Sequence, residues 1–159
     1  MSDEGNRKAW LPPRWVVRGA WKVHRGIYRF SGGRLGLGPP SPKRYGTMRL
    51  TTTGRRTGQE RSVILGYYED GPNLVTMAMN GWGDAEPSWW LNLQAEPVAT
   101  VEVAGGHRPV RGRAAEGAER SRLWDRWREF DKNLDGYAAL RSGETAVVIL
   151  EPVSEVGKD

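Results

Sequence analysis

The chain has 159 residues, a formal net charge of +5 and no cysteine. That length suits one domain with one core, and the charge favours anionic partners: phosphates, polycarboxylates, nucleic acid or acidic lipid. The lack of cysteine excludes disulfides, thiolate nucleophiles and sulfur metal sites, and a histidine-rich metal site is not expected from His24 and His107 alone, which lie far apart.

The opening segment, MSDEGNRKAWLPP, has no apolar h-region, so no secretory signal is expected. No run approaches the ~18–20 apolar residues that span a bilayer. Residues 14–30 read as a helix entered through Pro12 and Pro13. Val16, Ala20, Val23, Ile27 and Phe30 form one face at steps of three or four. Arg14, Arg18, Lys22, Arg25 and Arg29 form another, with Trp15, Trp21 and Tyr28 beside them. The glycine- and proline-rich stretch 35–46 reads as a linker. The chain thus divides into an amphipathic arm with its linker, 1–46, and a mainly β unit, 47–159.

Strands are expected at 47–53, 61–69, 73–79, 98–104, 107–114 and 144–150. Asp70-Gly71 is a strong hairpin turn, and Gly105-Gly106 joins the next pair in the same way. SVILGYY is apolar on both faces, as in a closed barrel or a sheet covered by helices. Helices are expected at 87–96, where Pro87 suits the first turn, and at 116–131, where Leu123, Trp127 and Phe130 share one stripe. The sum is an α+β, mainly β fold: a small antiparallel sheet rolled into a barrel, with helices packed outside and a basic arm.

The chemistry concentrates in one turn. LTTTGRRTGQERSV sets Arg55, Arg56 and Arg61 close together around Thr57, Gly58 and Gln59. Backbone N–H groups at a glycine-containing strand end, flanked by guanidiniums, suit phosphate or carboxylate. The alternative is a solvated hairpin whose arginines sit in water. Elsewhere there is no nucleophile–base pair, no carboxylate dyad and no metal constellation, which fits a protein that lends its chemistry to a bound cofactor.

LTTTGRRTGQERSV, then MAMNGW, then PSWWLNLQAEPVATVEV, in this order, resemble the deazaflavin-dependent nitroreductase family over about residues 48–152. These are small actinobacterial oxidoreductases. The resemblance implies an antiparallel split β-barrel of the FMN-binding-like kind and coenzyme F420, an 8-hydroxy-5-deazaflavin, as cofactor. It implies that Arg55, Arg56, Thr57, Gly58, Gln59, Arg61 and Ser62 hold the cofactor's phosphate and oligoglutamate tail. Met77, Ala78, Met79, Asn80, Gly81 and Trp82 would border the deazaflavin ring, and Ser88, Trp89, Trp90 and Asn92 would lie against it. Tyr137 would line the acceptor pocket as a candidate proton donor, with solvent as the other source.

Two departures bear on this. Met79-Asn80-Gly81 stands where many members have Ser-Lys-Gly, and Ile64 stands where many have proline. Trp89 and Trp90, adjacent on a helix, are expected to divide between core and ring. Trp82 has no evident core role, so a ligand contact is expected of it. Arg108, Arg111 and Arg113 read as a solvated strand face, and Trp124 and Trp127 as core.

The resemblance implies hydride transfer from reduced deazaflavin C5 to an electron-poor conjugated, lipophilic acceptor: a quinone, an enone or a nitroaromatic. The alternatives are FMN on the same barrel, cofactor binding without catalysis, and a basic nucleic-acid-binding module, which no RNP-like motif supports. Monomer and homodimer both stay open. The expected location is the cytoplasm. The arm either rests on the inner face of the plasma membrane, as its basic, aromatic and apolar stripes suit, or packs on the barrel or a second subunit.

Overall fold

The structure, a computed structural model, describes residues 37–154. The helix expected at 14–30 and its proposed membrane contact lie outside the described residues. Six strands form one closed barrel: β1 (Gly46–Thr53), β2 (Glu60–Asp70), β3 (Asn73–Met77), β4 (Val98–Val103), β5 (Gly106–Ala114) and β6 (Val147–Pro152). Their order around the barrel is β1-β2-β3-β6-β5-β4, and every neighbouring pair is antiparallel. Three helices accompany it: α1 (Ser88–Ala95), α2 (Gly117–Phe130) and α3 (Leu134–Ala138).

The period-2 alternation of the strands divides the core in two. Met48, Leu50, Tyr67, Leu74, Val101, Val110, Val148 and Leu150 point one way and pack with Trp89, Trp90 and Leu93 of α1. Their neighbours Tyr68, Val75, Met77, Val147 and Ile149 point the other way, under Leu123, Trp127 and Leu134 of α2 and α3. β2 and β6 therefore serve two cores at once, which is why SVILGYY carries apolar residues on both faces. Each fully buried side chain of this size contributes roughly 1.5–3 kcal/mol relative to exposure.

α1 lies close because Gly112 of β5 has no side chain: a Cβ there would sit 3.0 Å from Leu93 Cδ1. That approach brings the first turns of α1 to the end of the barrel where β1 turns into β2. α2 is fastened by polar contacts. Tyr68 donates its hydroxyl to the Leu123 carbonyl (2.8 Å), and burial pushes that phenol well above its usual pKa. Arg122 grips Asp70 with both terminal nitrogens (2.8 and 2.9 Å).

Several expectations are corrected. The described end of the linker is held on β1: Thr47 N–H donates to the Gly38 carbonyl and Gly38 N–H to Thr47 Oγ1, both at 2.9 Å. β3 stops at Met77, two residues early, because the backbone turns sharply at Asn80–Trp82. β6 starts at Val147, because the residues before it serve as hydrogen-bond partners for Arg120 and Arg141. Arg113 is half-buried and paired rather than free in water: it lies between Glu119 (2.6 Å) and Glu151 (2.8 Å). Trp127 is core, whereas Trp124 is half-buried and donates its indole N–H to Asp135.

Candidate functional site

The β1–β2 turn, the turn after β3 and the start of α1 enclose a cavity of about 550 Å³. That is an ordinary size for a small-molecule or cofactor site. Thr52, Gly54, Arg55, Arg56 and Thr57 contribute one wall. Arg61, Ser62 and Val63 of β2 lie beside them, and Asn80, Pro87, Ser88, Trp89 and Asn92 close the opposite side.

The hairpin is shaped by its own backbone. Gly54 N–H donates to the Gln59 carbonyl (2.7 Å), and Gly58 N–H donates to the Gly54 carbonyl (2.8 Å). Gly58 takes φ +71°, a conformation that glycine adopts without steric cost. Gln59 N–H is received by Thr57 Oγ1 (3.2 Å).

Asn92 ties this hairpin to α1. Its Oδ1 accepts from Arg55 N–H (3.2 Å) and from Arg55 Nη1 (3.0 Å), while its Nδ2 donates to Thr52 Oγ1 (3.2 Å). Asn92 is only 3% exposed and Thr52 1%, so these bonds replace water rather than compete with it. A buried group left unpaired costs about 1–3 kcal/mol. The amide thus fixes both the hairpin and the direction of the Arg55 side chain.

Arg56 and Arg61 differ. No carboxylate among the described residues pairs with either, or with Arg55. The lining holds no acid at all. Three guanidiniums therefore share one rim without a countercharge among the described residues, and Val63, Pro87 and Trp89 add apolar surface to the lining. A ligand with an anionic portion and a flat apolar ring matches that arrangement. A metal does not, because the described residues hold no cluster of metal-ligating side chains.

Of the residues singled out from sequence, Arg55, Arg56, Thr57, Arg61, Ser62, Asn80, Ser88, Trp89 and Asn92 line this cavity. Gly58 and Gln59 form the exposed tip of the hairpin, outside the lining. Met77 and Ala78 are buried in the core, and Met79 packs against the second cluster. Trp90 joins Trp89 in the barrel cluster, their rings 6.3 Å apart. Both indoles are thus largely buried, and only Trp89 reaches the cavity.

Trp82 and Tyr137 lie together, away from this cavity. Trp82 is 7% exposed and belongs to the second core cluster. Tyr137 stacks on it at 6.0 Å and 22°, and neither lines the cavity. The turn carries Asn80, Gly81 and Trp82 at φ +46°, +59° and +64°, and it swings the indole inward under α3. Sequence reasoning missed Thr52, Gly54, Val63 and Pro87 as lining residues. Thr52 carried a signal: it continues the buried alternation Met48, Leu50 as a polar residue at a core position.

A closed antiparallel barrel whose cavity is lined by three arginines, an aromatic ring and no acid suits a ligand with an anionic portion and a flat ring. The profile of the F420H2-dependent quinone reductase family matches residues 21–152, and the chain belongs to that family. An F420H2-dependent quinone reductase of Mycobacterium tuberculosis H37Rv is 30% identical over 148 residues, covering 86% of this chain and 95% of the relative. Among solved structures, an F420-H2 dependent reductase is 28% identical with a TM-score of 0.60, over 66% of this chain and 93% of that one. Another, described as a domain-swapped dimer, is 26% identical with a TM-score of 0.64, over 88% and 99%.

Proposed function

We propose that this chain reduces a quinone-type, lipophilic acceptor with reduced coenzyme F420 held in the cavity at the β1–β2 turn. The observation that supports it most strongly is the rim of Arg55, Arg56 and Arg61, which has no carboxylate partner among the described residues. Arg56 and Arg61 hold the phosphate and glutamyl carboxylates by charge-assisted hydrogen bonds. Arg55, fixed by Asn92, adds a third guanidinium to the same rim. Val63, Pro87 and Trp89 would provide apolar surface for the ring, and Asn80 and Ser88 would provide polar contacts to the cofactor.

When bound, reduced deazaflavin supplies a hydride. The chain's part is to bind, orient and exclude. The hydroxyls of Thr52, Thr57, Ser62 and Ser88 are the O–H groups in the lining, and Tyr137 is engaged with Trp82. Tyr137 lies outside this lining, and solvent, the other proton source open from the sequence, has access through the open cavity.

The test is a turnover screen of quinones, enones and nitroaromatics with F420H2, with reduced FMN as the comparison cofactor. Turnover of a quinone with F420H2 and not with FMN supports the reading. Turnover with FMN alone overturns it.

We further propose that the protein works at the cytoplasmic face of the plasma membrane, with residues 14–30 on the lipid. The support is the run of five cations beside an apolar stripe in that segment. Cosedimentation with anionic vesicles, full chain against one beginning near Lys43, decides it: equal recovery in the supernatant at low salt ends the proposal.

A further inference from the structure

The segment between β3 and α1 is strained, yet it forms the cavity wall opposite the hairpin. Asn80 and Trp82 are non-glycine residues in the left-handed region, which is uncommon for any such residue and an outlier for a bulky one. A backbone of that kind persists only where its surroundings over-determine it. Asn80 of this turn, and Pro87 and Ser88 just beyond it, line the cavity. Something must therefore hold the stretch in place.

The holding group is Arg141, whose side chain is 1% exposed. Its Nε donates to the Gly83 carbonyl (2.9 Å), and Nη1 donates to the Ala78 carbonyl (3.0 Å) and to Thr145 Oγ1 (2.9 Å). Its Nη2 meets Glu86 Oε1 at 2.8 Å and reaches the Ala85 carbonyl at 3.5 Å. One guanidinium thus spans the stretch from the end of β3 to the residue before Pro87. Its neighbours add to the grip: Ser142 N–H donates to Asp84 Oδ1 (2.8 Å), and Tyr137 stacks on Trp82. Only a planar fork of five donors can satisfy carbonyls on several sides at once. A buried cation is otherwise costly, so its position is set by these partners.

We propose that Arg141 is the positioning residue of the cavity wall: it holds the strained turn at Asn80–Trp82 and the approach to α1 in the shape that receives the cofactor ring. Arg141 touches no ligand in this role and acts through Asn80, Pro87 and Ser88. The inference rests on the F420 reading for the identity of the ligand, whereas the hold on the turn is a property of the chain alone.

The experiment uses the full chain with Arg141→Lys, which keeps the charge and loses the fork, and Glu86→Gln, which keeps an acceptor and loses the countercharge. Tyr137→Phe, which keeps the stack, is the control. Amide hydrogen exchange without cofactor, the melting temperature, and F420 affinity by fluorescence titration are read for each. Arg141→Lys should speed exchange at 79–86 by at least tenfold while β2 and β6 stay protected. It should weaken F420 binding about five- to tenfold at a temperature where the protein is fully folded. Glu86→Gln should do the same to a smaller degree, and Tyr137→Phe should change neither.

Unchanged exchange at 79–86, or faster exchange spread evenly over the whole barrel, overturns the proposal. So does unchanged affinity in both Arg141→Lys and Glu86→Gln. If Arg141→Lys does not fold, Glu86→Gln carries the same readouts, because Glu86 is partly exposed. If the unaltered chain binds no F420, the F420 reading fails, and the exchange pattern alone then supports or overturns the hold on the turn.

Discussion

Two arginine-rich regions of this molecule meet opposite fates. α2 carries Arg120, Arg122, Arg126 and Arg128, and each has a carboxylate: Glu144, Asp70, Glu129, and Asp125 with Asp135. Arg120 and Arg126 also lie over aromatic rings, those of Trp124 and Phe130. The β1–β2 hairpin carries Arg55, Arg56 and Arg61 with no carboxylate partner among the described residues. α2 places its charge in pairs, some within the helix and some that dock it on β2, α3 and the stretch before β6. The hairpin leaves its charge unspent beside a cavity. Local density of arginine is therefore a poor guide to an anion site, and the missing countercharge is the better one.

The sharpest intrusion on that contrast is Asn92→Ala, because Asn92 holds the unpaired region in shape. It strands Arg55 N–H, takes from the buried Thr52 hydroxyl the donor of Asn92 and leaves it its 3.5 Å bond to the Arg61 carbonyl, and opens a small void. The expected loss is about 2–3 kcal/mol, or a melting temperature lower by roughly 6–12 °C, with F420 affinity down by about tenfold. Calorimetry and titration on one preparation check both. A large loss of affinity with no change in melting temperature would mean that Asn92 only contacts the ligand.

Thr52→Val tests the same tie from the other end. It keeps the volume and removes the acceptor of Asn92 Nδ2. A buried donor without a partner costs about 1–3 kcal/mol. Urea unfolding should show a midpoint shift with an unchanged slope, and the hairpin should keep most of its affinity because Arg55 retains Asn92 Oδ1.

Changes on α2 should be small. Arg122→Ala removes a largely exposed pair and should lower stability only slightly, as exposed ion pairs do, with F420 affinity unchanged. The same pair has a pH signature. Hydrogen bonding from Arg122 holds the Asp70 carboxyl below its usual range. A depressed folded-state pKa contributes stability that is present above the unfolded value and is lost as pH falls through the folded one. Acid titration of the melting temperature should therefore fall below the ordinary aspartate range, and more gently in Arg122→Ala. Identical acid limbs would show that the pair contributes nothing.

The strands and the hairpin were legible in sequence because alternation, Asp-Gly turns and the GRRTGQ stretch are local signals. β1 differs from expectation by a residue at one end, and β2, α1 and α2 by one at each end. What sequence did not reveal depends on long-range contacts. Trp82 follows a glycine, which suggested an exposed loop, yet α3 covers it, and α3 itself is a five-residue helix with little periodicity. Tyr137 was assigned to the cavity by resemblance and is stacked on Trp82. Arg141 sits in an unremarkable polar stretch, and apart from Thr145 its partners lie 55–63 residues away. Nothing local marks a residue whose bonds are that distant.

The contrast between paired and unpaired arginines is tested most directly by removing two charges from each region and titrating F420 into both proteins at the same ionic strength. Two charge-assisted contacts at about 1.5 kcal/mol each amount to roughly a hundredfold in affinity. Arg56→Ala with Arg61→Ala should lose that much, while Arg126→Ala with Arg128→Ala, an equal change in net charge, should lose less than about threefold. Equal losses in the two proteins would mean that F420 responds only to the overall charge of the molecule, and the hairpin would not be its clamp.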